Sequence, residues 1–382
     1  MTDRLRVDRL LTAEVRRTAR GWLGPGDIDD RIALIAWSVL VEPGDGIAGQ
    51  LIARFGPVAA LEAVADADPE SDEIRAAADR WRPRWHASLV AGAIDGAAKK
   101  DMSLVTAGEH SWPAGVDDLG PHAPVALWVR GDAAVLTSAS VAVVGARAAT
   151  PYGEHVAADM SSELAGEGFS VVSGAAYGID GAAHRSALTA GGRTVAFVAG
   201  GADRVYPSGH ANLLQQISAR GAVVAECPPG TTPTRWRFLA RNRLIAAATL
   251  GTVVVEAGSR SGSINTAGHA GALGRPLGAV PGPVTSSTSA GCHRLIREYD
   301  ATCVTSAADV RELVGAGTEP QPLVYDSPDA IRVSDALSRR PRPIDELARR
   351  SGLAPADVTA VLGLLALEGR ARAMPDGWVG VS

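Results

Sequence analysis

The sequence predicts an α/β protein in which a largely parallel sheet lies between a helical N-terminal segment and a small winged helix-turn-helix. Apolar residues recur at helical spacing through the first hundred residues. Strand-like apolar runs then alternate with helical ones, and the last fifty residues read helix, helix, turn, helix and two short strands. The predicted parts are a helical domain at 1–102, the sheet-containing core at 103–314, a linker at 315–329 and the winged helix at 330–382.

The composition is that of an ordinary globular chain, with 46% hydrophobic and 21% charged residues and a net charge of −5. Three cysteines without metal-ligand spacing, and histidines that are scattered, give no expectation of a disulfide framework, a metal or a cofactor. The N-terminus has no apolar signal region, and no run of about 18 apolar residues occurs. We expect a cytoplasmic protein with no membrane partner.

The N-terminal segment contains short helices separated by glycine-containing turns. "DDRIALIAWSVLV" begins with acidic residues and continues at helical spacing, and "GDGIAGQLIARFGPVAALEAV" reads as helix, turn at Gly56-Pro57, helix. This layout indicates a SAM-like or helix-hairpin-helix bundle. Two roles stay open, because such modules grip DNA backbones but the turns here lack lysine, which suits packing or oligomerisation equally well.

The middle of the chain contains six apolar runs, each separated from the next by a helical or polar stretch. Their length and regular alternation with helices indicate βα units, hence parallel strands covered by helices on both faces. In order, the runs are "SVAVVGA", "SVVSGA", "RTVAFVAGG", "AVVAEC", "TVVVEAG" and "PLGAVPG".

Small, hydroxyl-bearing and charged residues follow these strands, at the sheet edge where ligands of open parallel sheets bind. Taken singly, each has a plainer explanation as a turn glycine or a helix cap. Their coincidence at one edge favours a site for phosphate, held by backbone N–H groups at helix starts. The residues concerned are Gly145, Arg147, Ser173, Gly174, Gly178, Asp180, Arg204, Glu226, Glu256, Ser261, Gly262 and Ser263.

A cluster of arginine and aromatic residues, "TRWRFLARNR", follows the fourth predicted strand. Residues 141–300 contain 13 arginines, 10 acidic residues and no lysine, so an anion site there must use arginine and backbone amides. Arg241 and Arg243 are two apart on the predicted helix and therefore point in different directions. We expect one to face a ligand and the other to pair with Glu226 or Glu256.

Common catalytic and phosphate motifs are absent. The lack of lysine excludes a P-loop, "GARAATPYG" does not match the dinucleotide fingerprint GxGxxG, and GxSxG does not occur. No motif supplies a nucleophile, a base and an oxyanion hole together, so we expect a protein that is not an enzyme.

The winged helix lacks the usual residues for reading duplex DNA. Its recognition-helix candidate, "APADVTAVLGLLALEG", contains Asp357 and Glu368 but no cation. Protein contact or autoregulation is therefore favoured over base readout. Contact with a nucleic-acid backbone stays open through the arginines that precede this helix, namely Arg339, Arg340, Arg342, Arg349 and Arg350.

Several long motifs resemble, in order, the core of the DNA-processing protein A family (DprA, also called Smf) over about 103–302. They are "VAVVGARAATPYG", "VVSGAAYGIDGAAHRSAL", "GGADRVYPSGHANL", "AECPPG", "RNRLIAAATLGTVVVEAGSRSGSINTAGHAGALGRPLGAVPG" and "GCHRLI". The resemblance implies an extended Rossmann-like fold, a homodimer, and binding of single-stranded DNA. It also implies delivery of that DNA to a RecA-type recombinase during transformation or related recombination, without catalysis.

Carried over by position, the resemblance places Arg147 in a phosphate-binding turn, "RNR" at a basic helix start, and Ser261 to Thr266 at a phosphate-facing helix start. The chain departs from the family pattern at Ala146, Tyr177, His210, Leu239, Ala240 and His293, mostly by losing polar or cationic groups. Residues predicted to bind DNA or phosphate are Gly145, Arg147, Ser173, Gly174, Tyr177, Gly178, Arg204, Arg235, Trp236, Arg241, Asn242, Arg243, Ser261, Gly262, Ser263 and Thr266.

The leading hypothesis is that Arg147, Arg241 and Arg243 hold phosphates while Trp236 or Tyr177 stacks on bases. A core role for Trp236 is an equal alternative. A different class of function, a nucleotide enzyme such as a nucleoside-monophosphate phosphoribohydrolase, is the second candidate, although "EAGSRSGSINT" replaces the "PGGxGTxxE" pattern of those enzymes. A scaffold in which DNA binding is incidental is the third.

Overall fold

The computed structural model describes residues 5–23, 28–65, 72–316 and 327–381. The chain divides into two compact units, Met1–Thr318 and Glu319–Ser382. Most of the predicted linker, 317–326, lies outside the described residues. The finer divisions predicted at residues 102 and 314 stay predictions.

The first unit begins with short helices packed around tryptophan. The rings of Trp37 and Trp81 meet edge to face at 5.2 Å, and each indole N–H has a partner, the Pro57 carbonyl at 2.9 Å and the Asp45 carboxylate at 3.1 Å. Gly56 (φ 79°) ends one helix before the next turns away by 114°. The helices are α1 (Val7–Leu10), α2 (Ala13–Leu23), α3 (Ile28–Leu40), α4 (Gly46–Phe55), α5 (Pro57–Ala65), α6 (Asp72–Trp81) and α7 (Ala87–Lys99).

Nine strands of the described chain then form one sheet in the order β1-β2-β6-β5-β4-β3-β7-β8-β9. Strands β3 to β9 run parallel to their neighbours, whereas β1 and β2 are antiparallel additions at one edge. The strands are β1 (Met102–Val105), β2 (Leu127–Gly131), β3 (Ser140–Val144), β4 (Ser170–Ser173), β5 (Thr194–Val198), β6 (Ala222–Ala225), β7 (Gly251–Val254), β8 (Leu277–Ala279) and β9 (Thr302–Cys303). The six predicted strands are β3 to β8, so the mainly parallel sheet is confirmed.

Helices cover both faces of the sheet, as expected from strands without a polar face. Along β3, Val141 and Val143 pack into one apolar cluster, and Ala142 and Val144 pack into another on the opposite face. The helices of this part are α8 (Pro151–Gly166), α9 (Ile179–Thr189), α10 (Ala211–Arg220), α11 (Arg235–Ala247), α12 (Gly262–Ala272), α13 (Ala290–Glu298) and α14 (Ala307–Leu313).

The chain order of the sheet reverses at β3, which has β4 on one side and β7 on the other. Loops leaving the carboxyl ends of β3 and β7 therefore diverge to opposite faces and leave a crevice between them. In open α/β sheets this is where ligands bind.

The second unit is a winged helix. Helix α15 (Pro328–Ala336) packs on the pair α16 (Ile344–Ser351) and α17 (Pro355–Leu367), which meet at 100° after Gly352 in the left-handed conformation (φ 71°). Strands β10 (Ala371–Met374) and β11 (Gly377–Gly380) form an antiparallel ribbon, and Arg342 pairs with Trp378 beside it. Buried Leu347, Val358 and Leu362 give this unit its own core, which confirms the predicted winged helix.

Across the described ranges, no single helix is both long and apolar enough to span a membrane.

Candidate nucleic-acid interface

A cleft of about 630 Å³ opens where the chain order of the sheet reverses. Its walls are the loop after β3, the loop after β7 with the start of α12, and one side of α11. Half of the residues predicted to bind DNA or phosphate line it, namely Gly145, Arg147, Arg241, Asn242, Ser261, Gly262, Ser263 and Thr266. Residues that the sequence placed at the carboxyl edge of the sheet therefore supply part of the cleft lining.

Helix α11 presents Arg241 and Asn242 to the cleft. The helix is capped by Thr234, whose hydroxyl accepts a hydrogen bond from Arg237 N at 3.4 Å. Arg241 is buried and donates from Nη1 to the Phe197 carbonyl at 2.5 Å. A Cβ on Gly174 would lie 2.1 Å from that same nitrogen, so the backbone of the loop after β4 approaches the guanidinium as only glycine allows.

Burial changes the ionisation of two groups beside the cleft. It lowers the pKa of Arg241 to about 10, so the guanidinium stays protonated at neutral pH. Burial raises the pKa of Asp180, an effect that the charge of Arg241 and hydrogen bonds from the amides of Gly174 (3.1 Å) and Ala176 (3.3 Å) oppose. Asp180 therefore ties down the loop after β4 and does not cap α9, which begins at Ile179 with Gly178 at its N-cap position.

Phe238 is the aromatic residue of the cleft. Its ring centroid lies 4.9 Å from Cζ of Arg147 and 5.9 Å from Cζ of Arg241, so two guanidinium groups share one ring. Sequence reasoning assigned stacking to Trp236 or Tyr177 instead, and neither lines the cleft. Trp236 is 60% exposed, which also excludes the core role, and Tyr177 (47% exposed) lies edge-on to His210.

The opposite wall is the start of α12. Ser261 caps this helix by accepting from Ser263 N at 3.4 Å, and its hydroxyl lies 2.7 Å from that of Ser263. Gly262, Ser263 and Thr266 of this helix line the cleft, so hydroxyl groups and the positive end of the helix dipole meet a concave surface that suits an anion. Asn242 links the two walls by donating to Asn265 Oδ1 at 3.1 Å.

Arg260 lies in this wall and was missed by sequence reasoning. It is exposed and lines the cleft one residue before the cap of α12. The signal for it was its place inside "GSRSGS", between two serines at the end of a buried strand.

Arg243 does not reach the cleft, which corrects its prediction as a phosphate ligand. Only 7% of its side chain is exposed, and Nη2 donates to both Glu226 oxygens at 2.7 and 2.9 Å. Glu226 also accepts from Gly44 N at 3.0 Å. The expectation that one of the two arginines pairs with Glu226 is confirmed, while Glu256 accepts from Thr150 N (2.8 Å) and its hydroxyl (2.9 Å).

Arg237 likewise turns towards the N-terminal helices. Its guanidinium binds both oxygens of Glu42, each at 2.9 Å, and Arg84 donates to the same carboxylate at 2.9 Å. These contacts lower the pKa of Glu42 against the opposing effect of its burial. The arginine-rich stretch therefore serves two purposes, because Arg237 and Arg243 join α11 to the N-terminal helices while Arg241 lines the cleft.

The remaining predicted residues do not line the cleft. Ser173 is buried and donates to the Val143 carbonyl at 2.7 Å. Gly178 (φ 72°) comes so close to the loop after β3 that a Cβ would lie 2.3 Å from the Ala146 carbonyl. Arg204 donates to the Gly230 carbonyl at 3.0 Å, and Arg235 is exposed in the first turn of α11.

The cleft as a whole is cationic. Three arginines line it, Arg147, Arg241 and Arg260, against one carboxylate, the buried Asp180. In the part of the chain that the structure describes, no three His, Cys, Asp or Glu side chains cluster as metal ligands would. The chemistry that this surface offers is guanidinium, hydroxyl and backbone amide donation to an anion.

Comparison with known proteins identifies the two parts of the chain. Residues 103–315 match the DNA recombination-mediator protein A family, and residues 317–377 match the DprA winged helix domain. A putative DNA processing protein DprA of Mycobacterium tuberculosis is 43% identical over 367 residues, or 90% of this chain and 93% of the relative. Protein Smf of Escherichia coli is 36% identical over 269 residues, covering 67% and 71%.

Two solved structures share the fold. DNA processing protein A of Streptococcus pneumoniae superposes with a TM-score of 0.60 at 31% identity, over 74% of this chain and 97% of the other. A structure that concerns the single-stranded DNA binding mode of DNA processing protein A from Helicobacter pylori superposes at 0.52 with 27% identity, over 57% and 97%. The fold, the two family matches and the relatives agree, and the chain belongs to the DNA recombination-mediator protein A (DprA) family.

Proposed function

We propose that this protein binds single-stranded DNA in the cleft between the loops after β3 and β7. The observation that carries the proposal is the set of three arginines and the hydroxyl-rich start of α12 around a cleft with one buried carboxylate. Phosphate contacts from guanidinium and amide groups supply most of the affinity for a strand of any sequence. We also propose that Phe238, whose ring centroid lies 4.9 Å from Cζ of Arg147 and 5.9 Å from Cζ of Arg241, contacts a base.

Membership of the family supports a role in DNA processing and recombination. The relative from Helicobacter pylori is described by its single-stranded DNA binding mode. We propose that this protein protects incoming single strands and delivers them to a RecA-type recombinase, that it acts as a homodimer, and that it does so without catalysing a reaction.

The test compares two exposed cleft arginines with an exposed arginine at the other edge of the sheet. Arg147→Ala and Arg260→Ala should each weaken binding of a labelled oligonucleotide of about 20 nucleotides by roughly tenfold, or about 1.4 kcal/mol. Each should also reduce the slope of log affinity against log salt by about 0.7. Arg193→Ala, immediately before β5 at the amino end of the strands, is the matched control and should leave both values unchanged.

Arg241 is a less suitable test because it is buried and holds the Phe197 carbonyl. If Arg147→Ala and Arg260→Ala bind the oligonucleotide as tightly as Arg193→Ala does, with circular dichroism showing all three folded, the proposed site is wrong.

A further inference from the structure

The surface that a winged helix normally offers to duplex DNA is poor in cations here. Helix α17 contains neither lysine nor arginine, and its exposed side ends in Leu364 (62% exposed) and Leu367 (87% exposed). The turn of the ribbon is formed by Pro375 and Asp376, which also supply no positive charge. Neither element supplies a cation to the major groove or to a phosphate.

The cations gather instead at the open end of the ribbon. A groove of about 590 Å³ lies there between the C-terminal end of α15 and the ends of β10 and β11. Its lining includes Arg339, Arg370 and Arg372, with Ser334 and Ser338 beside them, and no carboxylate.

Two of these three guanidinium groups are uncompensated. Arg370 lies 3.2 Å from Glu368, so part of its charge is balanced. Arg339 and Arg372 are exposed, and neither has an ion pair or side-chain hydrogen bond with another described residue. By contrast, Arg350 and Arg342 on the adjoining surface lie 2.9 and 3.6 Å from Glu346.

Backbone hydrogen bonds hold the groove in shape. Gly380 N donates to the Ser338 carbonyl at 3.0 Å, and Val381 N donates to the Arg370 carbonyl at 2.9 Å. The Ser338 hydroxyl accepts from Arg340 N at 3.3 Å and fixes the turn that carries Arg339. The two unpaired arginines therefore stand on a defined surface instead of on a free chain end.

We propose that this arginine groove binds the phosphodiester backbone of nucleic acid, as a second contact separate from the cleft of the first unit. Guanidinium groups bind phosphate oxygens through two parallel N–H donors, and two neighbouring unpaired arginines favour an anion with several charges. The choice of nucleic acid over an acidic protein segment rests on the proposed function, because a strand held by the first unit is at high effective concentration near a tethered second unit.

The experiment uses the full chain and five variants. Arg339→Ala/Arg372→Ala removes the two unpaired groove arginines, and Arg340→Ala/Arg349→Ala is the control of equal charge, since these two exposed arginines do not line the groove. Both pairs are made in the natural chain and in a chain carrying Arg147→Ala/Arg260→Ala, where binding through the cleft is weakened. A labelled 20-nucleotide strand and a 20-base-pair duplex are titrated at 50 and 200 mM salt.

The groove pair should lower the salt slope by about 1.4 for the single strand, so the affinity lost between the two salt concentrations becomes about sevenfold smaller. The control pair should not do so. The proposed groove site is wrong if the two pairs give equal slopes of log affinity against log salt. It is also wrong if the cleft-weakened chain binds no oligonucleotide at 50 mM salt.

Competition separates nucleic acid from an acidic protein. Polyglutamate and unlabelled strand are each used to displace the labelled oligonucleotide from the cleft-weakened chain. If polyglutamate competes equally well, the groove binds acidic segments and the proposal is wrong. If Arg339→Ala/Arg372→Ala abolishes binding and Arg147→Ala/Arg260→Ala does not, the groove proposal is supported and the proposed binding in the cleft is wrong.

Discussion

At the residue scale, identical side chains take different roles because their surroundings differ. Arg241 and Arg243 are two apart on α11, yet one lines the cleft and the other is buried against Glu226. Both are nearly excluded from solvent, so each needs a partner for its charge. For Arg243 the partner is Glu226. For Arg241 it is the Phe197 carbonyl, the ring of Phe238 and the nearby charge of Asp180.

His184 provides a prediction of pH dependence at this scale. It is fully buried on α9, and the Thr194 hydroxyl, which donates to the Val171 carbonyl at 2.6 Å, lies 2.7 Å from Nδ1. The hydroxyl proton is thus used elsewhere, so Nδ1–H donates to Thr194, and Nε2 is left without a partner as a neutral ring allows. Burial, with smaller effects from His210 and Arg241, lowers the pKa of His184 to about 3.

The free energy of unfolding depends on pH because the His184 ring binds a proton more readily in the unfolded chain. Below its unfolded pKa of about 6.5 the unfolded chain takes up a proton that the folded chain excludes, so the free energy of unfolding falls as pH falls from about 6.5 towards 3. Over that window the loss approaches about 5 kcal/mol. Urea unfolding at pH 7, 6, 5 and 4 measures it. His184→Gln should make the slope smaller by about one proton, and an unchanged slope would contradict the neutral assignment.

At the scale of elements, α11 joins the sheet to the N-terminal helices. One side of α11 lines the cleft. On the other side, Arg237 pairs with Glu42, and Arg243 pairs with Glu226, which also accepts a hydrogen bond from Gly44 N. A displaced α11 would move Arg241 and Asn242 together. The helices before the sheet therefore stabilise the wall of the cleft without contributing to its lining.

Removal of either partner of the buried Arg243–Glu226 pair should lower the free energy of unfolding markedly. Glu226→Ala leaves Arg243 buried without a counter-charge, and we expect a loss of about 3–5 kcal/mol in the free energy of unfolding. Glu298→Ala is the control, because its partner Arg294 is exposed one helical turn away, and it should cost under about 1 kcal/mol. Chemical denaturation of the two variants provides the comparison, and equal losses would show that the buried pair does not hold α11.

At the scale of the whole molecule, the chain consists of two units with separate cores. Leu347, Val358 and Leu362 lie in the core of the winged helix, whereas the tryptophan and sheet clusters belong to the first unit. The cleft is made entirely from residues of the first unit. Damage to one core should therefore leave the site in the other unit intact.

Leu362→Ala tests that independence. Leu362 is fully buried, so its truncation should cost the winged helix about 2–5 kcal/mol. In calorimetry we expect a transition for the second unit at lower temperature and an unchanged transition for the first. At a temperature below both transitions, where the groove and the cleft are both folded, oligonucleotide affinity should change little. A matching drop in the first unit's transition would show that the two units unfold together.

The sequence alone determined the strands, their grouping into a parallel sheet and the winged helix. Strands β3 to β8 are short and mainly apolar, β3 to β7 contain valine, and glycine or a polar residue follows each strand within three residues, so the local pattern identifies them. Residues in the loops after β3 and β7, such as Arg147 and Ser261, could be assigned to the cleft because parallel strands place their carboxyl ends at one edge. Strands β1 and β2 escaped prediction because they are antiparallel edge additions outside the alternation of strands and helices.

Only the tertiary structure decided which cations face the cleft. Arg237 pairs with Glu42, 195 positions away in the chain. Arg243 pairs with Glu226, which also accepts a hydrogen bond from Gly44 N. Such partners depend on how helices pack and not on local spacing, so sequence reasoning could say that Arg241 and Arg243 diverge but not which one lines the cleft. Phe238 was overlooked for the same reason, since its importance comes from the two arginines that only folding brings to its ring, whereas Arg260 lies in a loop that the sequence already placed at the carboxyl edge of the sheet.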